Sequence, residues 1–256
     1  MKTKNINFYL VGCAGYIAKR HIEVIFKLKN SKLIAVFDPS PNVGFLDNFS
    51  YDINYFSKFF LFEKFIDSSY DKYLKNYLII CSPNYTHISY IKFGLKKNFT
   101  VICEKPLCIS ANDIRYLNSL KPKFKNKIHT ILQLRYSKNI HKIKKYFIKN
   151  KNSKIIKSVN LKYITPRGNW YFNTWKGNKR LSGGILFNIG IHLFDFLIFI
   201  FGKPINCGVF SLSKYKSSGF IGFDGYKINW ILSLKKDDLN SKIKSLREIS
   251  YKNKSF

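Results

Sequence analysis

Between residues 6 and 134 the chain alternates short runs of β-branched and aromatic residues with longer stretches whose apolar positions recur at helical spacing. Such alternation predicts a parallel sheet with crossover helices. Predicted strands cover residues 6–11, 32–37, 77–81, 99–103 and 127–134, and predicted helices cover 17–29, 86–97 and 110–120, each opening beside a turn or capping residue. A basic helix follows at about 139–150, and then the pattern changes. Residues 154–164, 205–212 and 226–234 read as longer strands with few helices between them, apart from one amphipathic helix at 185–201 bounded by Gly183-Gly184 and Gly202-Lys203-Pro204. The expected fold is α/β: a Rossmann-type domain over residues 1–135, then an α+β domain over 136–256 with a mostly antiparallel open sheet.

Composition narrows the class. A chain of 256 residues with 46% hydrophobic content buries a sizeable core. The most apolar stretch is interrupted by Asn188, His192 and Asp195, short of the roughly 18 uninterrupted apolar residues of a membrane span. The first apolar run meets glycines too early for a signal peptide. A cytoplasmic protein without a membrane partner is expected. Five cysteines, Cys13, Cys81, Cys103, Cys108 and Cys207, include no CxxC pair, so reduced thiols are expected rather than disulfides or zinc. No His/Asp/Glu spacing suggests another metal. The net charge of +31 raises nucleic acid as a partner. Its lysines, however, are spread along the whole chain among abundant Asn, Ile, Phe and Tyr, so no nucleic-acid partner is expected. What remains is electrostatic attraction for acidic substrates.

Candidate chemistry begins after the first strand. Gly12-Cys13-Ala14-Gly15-Tyr16-Ile17-Ala18 is a loose GxGxxG with Cys13 at one glycine position, in the strand-to-helix context that a dinucleotide fingerprint requires. Gly15 allows the pyrophosphate to approach main-chain N–H groups at the helix N-terminus, and Ala18 keeps helix and strand close. The second strand ends in Asp38, where a carboxylate grips ribose hydroxyls and repels a 2′-phosphate; the expected cofactor is NAD.

Two further turns follow predicted strands at their carboxyl ends, where open α/β sheets bind ligands: Ser82-Pro83-Asn84-Tyr85-Thr86-His87 and Glu104-Lys105-Pro106. Together with the glycine loop, they resemble the glucose-fructose oxidoreductase, inositol dehydrogenase and rhizopine-catabolism (Gfo/Idh/MocA) family. The segment from Ser182-Gly183-Gly184 through Asn188 and His192 to Asp195 is similar to that family's glycine-led helix, with Asn188 in place of an aspartate. Arg167-Gly168-Asn169-Trp170-Tyr171, Thr174-Trp175-Lys176-Gly177, Gln133-Leu134-Arg135 and Asn188 to His192 resemble one branch of it. Members of that branch oxidise the C3 hydroxyl of UDP-N-acetylglucosaminuronate for lipopolysaccharide O-antigen synthesis.

The resemblance implies that Gly12, Cys13, Ala14, Gly15, Tyr16, Ile17, Asp38, Ser82, Pro83, Asn84, His87, Glu104, Lys105, Gln133 and Trp170 face the cofactor. It further implies that Arg167, Asn169, Lys176, Asn188 and His192 bind a UDP-sugar, with Lys105, His192 and Asn188 as the catalytic set. Alcohol oxidation needs a base for the hydroxyl proton. An ordinary Lys titrates near pH 10.4 and a His near 6.5, so His192 needs less tuning than Lys105, and either is a candidate. Asp195 orients the imidazole or caps local structure, while His21, His129 and His141 are expected to be structural or solvated. The family resemblance also implies 2-oxoglutarate as a hydride acceptor and a homo-oligomer, dimer or tetramer. Members of the family usually run longer, so the second domain is expected to be shortened at its C-terminal end. A family dehydrogenase for a free sugar or inositol, and an inactive relic, are the alternatives.

Overall fold

The computed structural model describes residues 6–69, 71, 73–151, 155–240 and 242–256. They form two compact units that divide between Ile131 and Leu132.

The first unit runs β1 (Ile6–Val11), α1 (Ala18–Lys27), β2 (Ser31–Phe37), β3 (Asn54–Phe56), α2 (Phe59–Ser69), β4 (Lys75–Ile80), α3 (His87–Lys96), β5 (Thr100–Cys103), α4 (Ala111–Ser119), α5 (Pro122–Lys125) and β6 (Ile128–Thr130). Its sheet has the order β3-β2-β1-β4-β5-β6, with every pairing parallel. Because successive side chains of a strand point to opposite faces, Tyr9 and Val11 of β1 enter one core cluster, and Phe8 and Leu10 the other. Helix α1 buries Ala18, Ile22 and Ile25, a single stripe at helical spacing, against the second cluster. The strand order reverses between β1 and β4, which makes that edge the switch point where a crevice opens.

The second unit contains α6 (Lys138–Lys149), β7 (Lys157–Ile164), α7 (Asn169–Phe172), α8 (Lys179–Ser182), α9 (Ile191–Phe201), β8 (Asn206–Leu212), β9 (Lys216–Phe223), β10 (Tyr226–Ser233), β11 (Leu246–Tyr251) and β12 (Lys254–Ser255). The sheet order is β12-β11-β7-β10-β9-β8. Only β7 and β10 pair in parallel, so the sheet is mixed but mostly antiparallel. Ile143 and Phe147 of α6, with Leu193, Leu197 and Ile200 of α9, share a core with Val159 and Leu161 of β7 and Ile228, Trp230 and Leu232 of β10.

Residues Lys179–Phe201 form a helical run long and apolar enough to cross a membrane by length and composition, with a mean hydropathy of 2.0. Half of that window is buried inside the unit, as befits a core helix. A π-helical turn at Leu186–Gly190 precedes α9, and a side chain at Gly190 would press within 2.9 Å of Leu232 and Phe194.

Residues 127–134, predicted as one strand, are strand only over Ile128–Thr130; Gln133–Tyr136 turns instead as a 3-10 helix. Strands β3, β9 and β11 and helix α2 lie where no element was predicted.

Candidate functional site

In the first unit the expected cofactor residues gather beyond the carboxyl ends of β1, β2, β4 and β5. Gly12 follows β1 with φ of +84°, and a Cβ there would sit 2.5 Å from the Ser82 nitrogen. Both the conformation and the close approach require glycine. Its N–H donates to the Phe37 carbonyl at 2.8 Å, fixing the loop to the end of β2. The Ala14 N–H donates to Asp38 Oδ2 and the Ser40 N–H to Asp38 Oδ1, each at 2.9 Å. Tyr55 secures the same turn, its hydroxyl lying 3.1 Å from the Asp38 carbonyl and 2.9 Å from that of Ser40. A carboxylate oxygen accepts more than one hydrogen bond, so Asp38 retains capacity for hydroxyl donors. The glycines let this loop pack tightly against the Cys81–Ser82 main chain and lead into the N-terminus of α1, where main-chain N–H groups suit a dinucleotide pyrophosphate.

Cys13 occupies a glycine position of the fingerprint but is fully buried. Burial first, and the Asp38 carboxylate second, push its thiol up to about 12. A neutral thiol of this kind fills space and does not act as a nucleophile.

The turn after β4 is tied down from within. Ser82 Oγ lies 2.6 Å from Thr86 Oγ1, and the Thr86 hydroxyl donates to the Pro83 carbonyl at 2.7 Å. Contrary to the expectation of a ligand contact, the His87 ring is 1% exposed, with Nδ1 2.8 Å from the Pro106 carbonyl and Nε2 2.8 Å from that of Ser82. Each ring nitrogen thus faces a main-chain carbonyl, and a neutral ring donates to one of the two. His87 fastens the Ser82 turn to the Lys105-Pro106 turn, and burial holds its pKa below the ordinary value. The Glu104 carboxylate, expected at the cofactor, meets His21 Nε2 of α1 at 2.9 Å. His21 therefore has a partner that no spacing signal revealed. Lys105 follows β5 and is half-buried.

In the second unit Gln133 opens the 3-10 turn before α6 and is exposed. Arg135 of that turn grips Asp195 of α9: Nε lies 2.9 Å from each carboxylate oxygen, and Nη2 also bonds Oδ1. Asp195 is thereby engaged by a guanidinium, an outcome that neither an imidazole-orienting nor a capping role describes. That hydrogen bonding raises the Arg135 pKa.

Residues 165–177 form a polar-aromatic segment after β7. Arg167 Nη1 donates to Thr165 Oγ1 at 2.9 Å and to the Pro166 carbonyl at 3.1 Å, and its guanidinium carbon lies 5.9 Å from the Tyr171 ring centroid. Asn169 and Trp170 are exposed at the start of α7. Lys176 Nζ lies 5.1 Å from the Trp170 ring centroid. Buried beneath the loop, the Tyr171 hydroxyl accepts from Asn188 Nδ2 at 2.7 Å. Burial raises the Tyr171 pKa, while Asn188 and the Arg167 charge oppose that rise. Asn188 lies in the π-turn and half-buried His192 in the first turn of α9, so one continuous helical run carries both. Tyr171 is the residue that sequence reasoning missed, since a buried Tyr between Trp170 and Phe172 gives no sign of a polar partner.

Residues 6–130 match the oxidoreductase family described by its NAD-binding Rossmann fold, and residues 147–216 match that family's C-terminal α/β domain. The WlbA (WbpB) dehydrogenase of Thermus thermophilus, solved with NAD and UDP-GlcNAcA, is 31% identical, with a TM-score of 0.88 over 98% of this chain and 82% of that one. Its complex with NAD and α-ketoglutarate gives 30% identity and a TM-score of 0.86 over the same shares. Glucose-6-phosphate 3-dehydrogenase of Bacillus subtilis (strain 168) is 26% identical over 193 residues, which cover 73% of this chain and 52% of that protein. The chain thus spans about half the length of that curated relative.

Proposed function

Because the chain belongs to the Gfo/Idh/MocA oxidoreductase family, we propose that it oxidises the C3 hydroxyl of UDP-N-acetylglucosaminuronate to the 3-keto sugar with NAD. The observation that carries this reading is the 31% identity, sustained over 98% of the chain, to a dehydrogenase solved with NAD and that sugar nucleotide. When bound, the dinucleotide supplies the hydride acceptor. Main-chain amides around Gly12 and Gly15 take its pyrophosphate, and the Asp38 carboxylate takes ribose hydroxyls and disfavours a 2′-phosphate. Lys105 and His192 carry the proton of the reacting hydroxyl, and Asn188, its amide held by Tyr171, orients the sugar. The relative's complex with α-ketoglutarate supports a 2-oxo acid as the oxidant that regenerates NAD.

A second reading, a sugar phosphate as substrate, is favoured by the likeness to glucose-6-phosphate 3-dehydrogenase. Both sugars named with these relatives carry an anionic group at carbon 6. Purified protein incubated with NAD and either UDP-N-acetylglucosaminuronate or glucose 6-phosphate, with and without 2-oxoglutarate, separates the two readings. Mass spectrometry is expected to find the sugar nucleotide lighter by two hydrogens, in larger amount when 2-oxoglutarate is present. Protein that binds NAD by calorimetry yet oxidises only glucose 6-phosphate, or neither sugar, overturns the first reading.

A further inference from the structure

Lys105 stands on irregular chain just past β5, at the end of a flexible aliphatic stem, so its amine is placed only as exactly as the main chain beneath it. That main chain is held on both sides. Before Lys105, the Glu104 N–H donates to the Ile80 carbonyl at the end of β4, and the Glu104 carboxylate meets His21 Nε2 of α1, each at 2.9 Å. After it, the Pro106 carbonyl lies 2.8 Å from Nδ1 of His87, the residue that opens α3. The same ring lies 2.8 Å from the Ser82 carbonyl, so β4, α1 and α3 all converge on the Lys105 turn. Both contacts are shielded: His87 is 1% exposed, and the His21 and Glu104 side chains are 16% and 12% exposed. A carboxylate only accepts, so His21 Nε2 carries the hydrogen of its contact whether the ring is neutral or charged. Hydrogen bonds to an ionised group are roughly twice as strong as those between neutral ones. His21 therefore ties the Lys105 turn to α1, the helix whose N-terminal amides are proposed to take the pyrophosphate.

We propose that His21 and His87 are positioning residues that brace Lys105 from two helices, and that His21, acting through Glu104, sets where the Lys105 amine meets the reacting hydroxyl. Neither imidazole moves a proton or holds a ligand in this scheme, which rests on the functional reading above for the role of Lys105. A displacement of about 1 Å at reacting atoms lowers the rate by about 10²-fold, so loosening one side of the brace acts on turnover. Affinity for NAD is set elsewhere, around Gly12, Gly15 and Asp38. Removing fully buried His87 also opens a cavity, which makes His21, partly exposed, the side of the brace to vary.

Single-turnover and steady-state oxidation of UDP-N-acetylglucosaminuronate, NAD calorimetry and melting temperature are compared for wild type, His21→Leu, His21→Gln, Lys105→Met and the double variant His21→Leu with Lys105→Met. His21→Leu is expected to lower kcat by about 10- to 100-fold with KM and NAD affinity nearly unchanged. His21→Gln keeps an N–H for Glu104 and should recover most of the rate. In the Lys105→Met background, His21→Leu should lower the rate no further, because its effect passes through the missing amine. A folded His21→Leu protein with wild-type kcat overturns the proposal. So does an equal further loss in the Lys105→Met background, or a loss that comes only with weakened NAD binding and a lowered melting temperature. The brace is also read without substrate, by mass spectrometry of the Lys105 peptide after brief treatment with acetic anhydride. Acetylation of Lys105 should be several-fold faster in His21→Leu, where the turn is loosened, and an unchanged rate overturns the proposal. Wild-type protein that oxidises no sugar while this difference persists overturns the functional reading and leaves the brace standing.

Discussion

At the scale of single residues, the division of labour between grip and chemistry is testable. The proposed cofactor contacts are main chain around Gly12 and Gly15 and the Asp38 carboxylate, none of which involves the Lys105 or His192 side chain. Lys105→Met and His192→Asn are therefore expected to leave NAD affinity nearly intact while lowering turnover by about 10²- to 10⁴-fold, the usual loss for a positioned acid or base. Stopped-flow turnover beside NAD calorimetry checks this, and a variant retaining more than about a tenth of the wild-type rate, well short of that loss, removes its residue from the catalytic set. Cys13 supplies a second test. Its folded pKa, about 12, exceeds the ordinary 9.0, so the folded state holds the proton more tightly than the unfolded one. The resulting stability is complete below pH 9 and is lost as pH climbs toward 12. Cys13→Ala should lose less stability than wild type across that window when denaturant midpoints are compared, and parallel curves would refute the assignment.

At the scale of elements, the Arg135–Asp195 pair clamps the 3-10 turn that carries Gln133 onto α9, the helix that carries His192. Asp195 is only 6% exposed, so removing its partner strands a buried carboxylate. Arg135→Gln should destabilise the protein by about 1–3 kcal/mol, the range for a hydrogen bond to a charged group, reduced by the partial exposure of Arg135. Asp195→Asn combined with Arg135→Gln should cost less than the sum of the two single changes in urea melts, and strict additivity would deny the clamp. The pair also shows where sequence reading stops. Strand β1 was predicted to the residue, and α1, α3 and β5 nearly so, because their apolar patterns are unambiguous and turn residues bound them. Helix α2 was missed because Phe59-Phe60-Leu61-Phe62 and Phe65-Ile66 form nearly continuous apolar runs without a clear period. Strand β9 alternates buried and half-buried positions, but Ser217, Ser218, Gly219 and Gly222 make it read as loop. The turns that carry the candidate residues were legible where glycine, proline or charge marks them, as at Gly12, Asp38 and Lys105. Contacts were not legible where the partner lies far along the chain, as with His21 and Glu104, Arg135 and Asp195, or Tyr171 and Asn188.

At the scale of the whole molecule, charge is the dominant property. The chain carries 45 Lys and Arg against 14 Asp and Glu. His21, Lys97, Arg135, Lys151 and Lys216 stand in ion pairs. With 14 acidic groups for 45 basic ones, most of the positive charge is uncompensated and acts as a net field. A UDP-sugar with a diphosphate and a carboxylate is drawn in by that field, whereas an uncharged sugar is not. Salt shortens the reach of the field from about 10 Å at 0.1 M to about 3 Å at 1 M. The Michaelis constant for UDP-N-acetylglucosaminuronate should accordingly rise several-fold over that range, while kcat changes little, because the field acts on encounter rather than on the hydroxyl. Stopped-flow association rates of the UDP-sugar, measured against salt, should fall in parallel, and those of a neutral sugar should stay level. A Michaelis constant that ignores salt would mean that the net charge plays no part in capture.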